Sequence, residues 1–305
     1  MSGNRIKLDK LDSTTSWSDV IANLVLEKFP NKELYTCAAG ISPSGIVHFG
    51  NFRDVITAYT VSSALKEKGI KSRCIFSWDN FDRFRKVPVN VPADFIKYIG
   101  MPLSEVPSPD GVGSYAEYFQ RPFEQAMRDL GIELEYKNQT EEYKSGRYDG
   151  IIFLSLNKRK EIAKILLSFM TEKGKEEAGI VEEEYIDSYY PISVYSTFTK
   201  KDSTKVLSYD GATSITYECK ETGNTETVDL TKTRIAKLAW KVDWPMRWGV
   251  ENVVFEPGGH DHASPGGSYN TSSVIAEKIF NIQEPLFAEY KFVGIQGGGS
   301  KMSGS

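Results

Sequence analysis

Residues 33–40, ELYTCAAG, are a short apolar run closed by glycine, which predicts a buried strand. The next stretch changes period. In residues 51–69, NFRDVITAYTVSSALKEKG, the positions Phe52, Val55, Ile56, Tyr59 and Leu65 fall near helical spacing, and Gly69 suits a helix stop. Residues 72–79, SRCIFSWD, are again strand-like. Strand, glycine-containing turn, helix and strand in this order predict a βαβ unit, hence parallel pairing and an α/β sheet.

The pattern alters beyond residue 103. Residues 104–190 are charged and mostly helical in pattern, as in RPFEQAMRDLGI and KRKEIAKILLSFMTEKGKEEAG. Residues 191–231 are polar and rich in Thr and Ser, with alternating patches that suggest a small antiparallel β element. After Thr231 the pattern turns helix-like, and residues 289–296, EYKFVGIQ, look like a strand. The simplest arrangement is one α/β sheet, residues 1–103 and 232–305, interrupted by a module over residues 104–231.

Composition narrows the function classes. With 40% hydrophobic and 26% charged residues over 305 positions, the chain is long enough for a large core. No apolar run approaches membrane-spanning length, and the N-terminus lacks the apolar stretch of a signal peptide, so the expected compartment is the cytoplasm. A net charge of −4 excludes a strongly basic DNA-binding module; RNA contact would need a local patch or a further domain. The three cysteines, Cys37, Cys74 and Cys219, are too scattered for a disulfide framework or a CxxC metal site, and buried thiols are expected.

Rare residue types cluster. His48 lies in SPSGIVHFGN, between the first strand and its helix, where ligands meet the carboxyl edge of an open α/β sheet. Gly45 and Gly50 permit close backbone approach, the helix N-terminus favours an anion, and His48 and Asn51 add side-chain donors for phosphate. The loop is neither a Walker loop nor GxGxxG, and an ordinary Gly/Pro turn is the bland alternative. His260 and His262 lie in GHDH; in an extended segment they share a side, which permits a two-His ligand set, although no third ligand cluster is visible. Trp240, Trp244 and Trp248 recur at four-residue spacing, as on one buried helix face, but Pro245 favours a helix starting near it with Asp243 or Trp244 as cap.

HFGN and the terminal KMSGS resemble the HIGH and KMSKS motifs of class I aminoacyl-tRNA synthetases. The series WDNFDRFRKVP, SYAEYF, WKVDWPMRW, FEPGGHDHASPGGSY and GGGSKMSGS narrows the resemblance to class I lysyl-tRNA synthetases, from about residue 35 onward. The resemblance implies a Rossmann-like parallel sheet with an inserted α+β connective module. It implies ATP-dependent formation of lysyl-adenylate and transfer to tRNA(Lys), with Mg²⁺ accompanying the ATP. The ATP site would comprise Ser44, Gly45, His48, Gly50, Asn51, Lys301, Met302 and Ser303, with His48, Asn51 and Lys301 acting in catalysis. Lysine would meet Gly40, Ser42 (where threonine is more usual), Asp79, Trp240, His262 and Tyr290, with Asp261 a weaker candidate.

Departures from the family pattern carry expectations of their own. PISVYS and YECKET stand where many members have cysteine pairs, so no structural zinc is expected. The family continues past the KMSKS loop into a helical stem and an anticodon-binding domain, whereas this sequence ends at Ser305, so a fragment or a shortened relative is expected, with the terminal loop disordered. The alternatives are a non-catalytic paralogue binding lysine or an adenylate, and another class I ligase such as a glutamyl-type enzyme.

Overall fold

The structure, a computed structural model, describes residues 5–8, 16–264 and 266–291. In chain order its strands are β1 (Arg5–Lys7), β2 (Tyr35–Ile41), β3 (Ser72–Trp78), β4 (Glu135–Asn138), β5 (Ile192–Val194), β6 (Thr204–Tyr209), β7 (Ser214–Cys219), β8 (Thr225–Asp229), β9 (Ala236–Leu238), β10 (Val253–Gly259) and β11 (Leu286–Tyr290). Its helices are α1 (Trp17–Lys28), α2 (Phe49–Glu67), α3 (Tyr115–Asp129), α4 (Gln139–Lys144), α5 (Asp149–Asn157), α6 (Arg159–Ser168), α7 (Glu172–Glu177), α8 (Glu182–Ser188), α9 (Trp240–Glu251), α10 (His260–Ala263) and α11 (Ser268–Ile275).

The main sheet has six strands in the order β1-β11-β10-β2-β3-β4, all parallel. Its two faces are read from alternate residues. Cys37, Ala39, Cys74, Phe76 and Trp78 pack with α1, α2 and α3 on one face. Ala38, Ile75, Val253 and Phe287 pack with Trp244, Trp248 and Tyr269 on the other. A parallel sheet covered on both faces explains why its strands read as nearly unbroken apolar runs. The expected βαβ unit is β2-α2-β3. Its helix ends through Gly69 at φ 75°, with Gly69 N–H on Lys66 O at 2.9 Å and Ile70 N–H on Leu65 O at 3.0 Å.

The order in which strands are added reverses at the centre: β2 leads outward to β3, whereas β10 leads the other way to β11. Between these two, pairing is confined to Val253↔Thr36 and Phe255↔Cys37, with an irregularity between them. Beyond that point residues 38–41 pair only with β3, and residues 256–259 only with β11. The sheet is therefore split open at its carboxyl edge, where open α/β folds bind ligands.

Three readings of the chain are corrected. The last described strand is Leu286–Tyr290, because Leu286, Phe287 and Ala288 are the buried run flanked by strands on both sides; residues 292–296 lie outside the described residues. The tryptophan helix starts at Trp240 and carries Pro245 inside it. Proline removes the N–H that would bond Lys241 O, and the Ser272 hydroxyl donates to that carbonyl instead, at 3.1 Å. Thirdly, β9 and β10 lie where the sequence between Thr231 and Glu289 looks helix-like.

Strands β6, β7 and β8 form the expected antiparallel element, and β5 pairs with β9. These strands share a second core with Phe81, Tyr143, Tyr148 and the α9 residues Val242 and Met246. Strand β4 falls within residues 104–231 yet pairs with β3 in the main sheet. Cys37, Cys74 and Cys219 are buried free thiols.

Candidate active site

The split opens into a cavity of about 590 Å³. Gly40, Ser42, Ser44, Gly45, His48, Gly50, Asn51, Asp79, Trp240, Asp261, His262 and Tyr290 all line it, so it gathers every described residue expected to bind ATP or lysine. Lys301, Met302 and Ser303 lie outside the described residues.

On the α2 side, His48 is the N-cap. Its Nδ1 accepts the Gly50 N–H at 3.0 Å, and Asn51 Oδ1 accepts the His48 N–H at 3.3 Å, a reciprocal cap. Because Nδ1 acts as acceptor, the ring's proton sits on Nε2, which is thus a donor. Gly50 is required for this: a Cβ there would stand 2.8 Å from His48 Cε1. The preceding loop is held by α3, whose Tyr115 hydroxyl donates to Ser44 O at 2.9 Å.

Gly40 permits the close approach of β2 to β3, since a Cβ would lie 2.8 Å from Ser77 O. Below it runs a buried chain of charges. Ser42 Oγ donates to Asp82 at 2.7 Å, and Lys237 Nζ pairs with Asp82 at 2.9 Å and Asp243 at 3.6 Å. Arg247 bridges Asp243 and Asp79. Burial works against the Arg247 charge, but Asp243 and Asp79 outweigh it and hold the guanidinium protonated. Burial pushes the Asp79 carboxyl up against the pull of Arg247. For Asp82, burial is overcome by Lys237 and Ser42, and the carboxyl stays below its usual range. Gln139 donates to Ser77 Oγ at 2.7 Å and accepts from the Tyr148 hydroxyl at 3.1 Å, which ties α4 and α5 to the same chain.

The far wall is aromatic. Trp240 stacks on Trp244 with centroids 4.9 Å apart, Trp244 meets Trp248 at 5.3 Å, and the His262 ring lies 5.4 Å from Trp244. The four-residue tryptophan spacing thus makes one face of α9 into both core and cavity wall. GHDH is helical, so His260 and His262 do not share a side: His260 pairs with Glu289, whereas His262 turns to the cavity. Among the described residues no group of three or more His, Cys, Asp or Glu is arranged to hold a metal ion. No described helix is long and apolar enough to cross a membrane.

Two acids are among the lining residues that escaped sequence reasoning. Asp54 accepts the Tyr290 hydroxyl at 2.9 Å, joining α2 to β11, and Glu256 accepts the Trp248 indole N–H at 2.7 Å. Burial pushes both carboxyls up to about 7, only partly opposed by those hydrogen bonds and, at Glu256, by the Trp244 indole. The available signal was a single acid inside VVFEPGG, an otherwise apolar strand.

The arrangement suits a small zwitterion beside a polyphosphate: donors at the α2 N-terminus, apolar aromatic walls and buried acceptors. Residues 15–305 match the model of the family "tRNA synthetases class I (K)". The chain belongs to the class I tRNA synthetases. Its relatives within that family include the lysine–tRNA ligase of Pyrococcus horikoshii, 42% identical over 95% of this chain and 54% of the relative. That of Treponema pallidum is 39% identical over 96% and 54%. That of Streptomyces coelicolor is 37% identical over 96% and 55%. The chain thus spans about half the length of these relatives, and its six-stranded parallel sheet is the Rossmann-like sheet that the HIGH and KMSKS resemblance implies.

Proposed function

We propose that this chain activates lysine with ATP and passes the lysyl group to tRNA(Lys), as a cytoplasmic class I lysine–tRNA ligase. The observation that carries the reading is the cavity itself. A cap histidine that lines the cavity stands on one side, and an aromatic wall with buried carboxylates on the other. A lysine side chain needs apolar surface for its stem and acceptors for its ammonium.

In the proposed reaction a lysine carboxylate oxygen attacks the α-phosphorus of ATP. The bond from that phosphorus to the bridging oxygen breaks, and pyrophosphate leaves with the electron pair. A hydroxyl of the tRNA's terminal ribose then attacks the lysyl carbonyl and releases AMP. Such chemistry needs positioning and charge neutralisation more than covalent help. His48 Nε2, Asn51 and the amides at the α2 N-terminus supply donors to the phosphates, and the resemblance assigns Lys301 to the pyrophosphate. Gly40, Ser42, Trp240, His262 and Tyr290 hold lysine. Magnesium enters with the nucleotide, as part of the substrate.

Pyrophosphate exchange into ATP, measured with each of the twenty amino acids, tests this. Exchange dependent on lysine is expected. A preference for glutamate would replace the lysyl reading with a glutamyl one, and lysine binding without exchange would leave a non-catalytic binder.

A further inference from the structure

The loop between β2 and α2 places Ser44, Gly45 and His48 on the cavity, yet it is fixed at few points. Asp79 N–H donates to Ile41 O at 2.9 Å, Ser42 Oγ donates to Asp82 at 2.7 Å, and the Tyr115 hydroxyl donates to Ser44 O at 2.9 Å. Among the described residues no hydrogen bond from another element reaches residues 45–47. Ser44 O is thus the last anchor of the loop before the His48 cap.

Both side-chain anchors come from one block of the chain. Tyr115 belongs to a small core of its own with Phe84, Phe95, Leu103, Val106 and Phe119. Its ring centroid lies 4.8 Å from that of Phe84 and 5.0 Å from that of Phe119. Its backbone N–H donates to Val106 O at 2.8 Å, and Ser114 and Glu117 cap the helix that starts on it. Leu103 N–H donates to Asp82 O at 2.8 Å, which ties Asp82 to the same block. A fully buried ring with a polar tip is a stiff donor, and burial pushes the phenol well above its ordinary value, so the proton stays on it. Tyr115 does not line the cavity, whereas Ser44 and Gly45 do. Its hydroxyl has one proton to donate and directs it at the loop rather than at its own core.

We propose that Tyr115 is a positioning residue for adenylate formation: its hydroxyl holds Ser44 O and so fixes where the loop delivers the His48 ring beside the phosphates. This rests on the role given to His48 in the reading above. The small core is then the mount of the loop, and Tyr115 acts on the geometry of the donor rather than on the charge it meets. Such placement matters because a donor displaced by about 1 Å loses much of its effect on the transition state.

Lysine-dependent pyrophosphate exchange by the full chain tests the assignment. Tyr115→Phe keeps the ring and removes only the hydroxyl. It should lower kcat roughly 5- to 20-fold, the loss of one buried hydrogen bond, with the KM for lysine within about twofold of wild type. p-Aminophenylalanine at position 115 returns a donor to the same place and should recover most of the rate. In a His48→Ala background Tyr115→Phe should cost less than about twofold, because the ring whose place it sets is gone. An unchanged kcat, or a loss that multiplies with that of His48→Ala, overturns the proposal. A Tyr115→Phe protein that fails to fold overturns it too, since the hydroxyl would then serve the core. Wild type without lysine-dependent exchange overturns the reading above instead, so the two failures are distinct.

Discussion

His48 Nδ1 accepts the Gly50 N–H at 3.0 Å, and a Cβ on Gly50 would stand 2.8 Å from the same ring. The cap and the proposed catalytic donor are thus one side chain, and its tautomer is set by its own helix. His48→Ala should lower lysine-dependent exchange kcat by roughly 100- to 1,000-fold, the usual loss of a donor to developing charge. Lysine affinity should stay nearly constant, and the lost cap should cost about 1 kcal/mol of stability. Gly50→Ala should lower the same rate by displacing the ring, although alanine favours a helix. Exchange at the wild-type rate in either variant would remove His48 from the phosphates.

Arg247 is 8% exposed and holds two buried aspartates, one at the sheet edge and one on its own helix. Removing one partner from such a pair strands the others in a low-dielectric interior. Arg247→Met should therefore cost about 3–5 kcal/mol, read as a lower urea midpoint with an unchanged slope. A loss below about 1 kcal/mol would mean that water reaches Asp79 and Asp243 and that the chain of charges does not hold α9 against β3.

What the sequence disclosed follows from which features are local. The glycine after the first strand, the cap in HFGN and the helical stop at Gly69 all act within a few residues, so their reading survives folding. Strand β4 was missed because EYKN is short, polar and at the sheet edge, with no run to betray it. The tryptophan helix was begun too late because Pro245 breaks the local rule, and the hydroxyl that compensates comes from Ser272, distant in sequence. Asp54 and Glu256 were missed for a related reason. Their meeting depends on β2 and β10 ceasing to pair after Cys37 and Phe255, a register no local pattern records.

The Pro245 substitution of one donor for another is itself testable. Ser272 is fully buried, and its hydroxyl serves the carbonyl that the helix cannot. Ser272→Ala should cost about 1–2 kcal/mol, since it leaves Lys241 O unpaired. Pro245→Ala alone should change stability little, and in the Ser272→Ala background it should restore about 1 kcal/mol by supplying the missing N–H. Strict additivity of the two changes in a denaturation cycle would refute the compensation.

The raised carboxyls at Asp54 and Glu256 fix a sign for pH dependence. Each stands near 7 in the folded protein, above its ordinary value of 3.8 or 4.5. The folded state then binds more protons than the unfolded state between about pH 4 and 7. Their contribution is fully present below the unfolded value and is lost as pH rises through 7. Other carboxyls, Glu135 and Glu289 among them, are shifted down and act in the opposite sense. The comparison that isolates the pair is wild type against Asp54→Asn/Glu256→Gln. Near pH 3.5, below both unfolded values, the two proteins should melt together. By pH 8 the variant should be more stable by about 2–4 kcal/mol, because wild type then carries two charges that desolvation disfavours. A gap independent of pH would show that neither carboxyl titrates abnormally, and a gap of the opposite sign would show that both are paired in the folded chain.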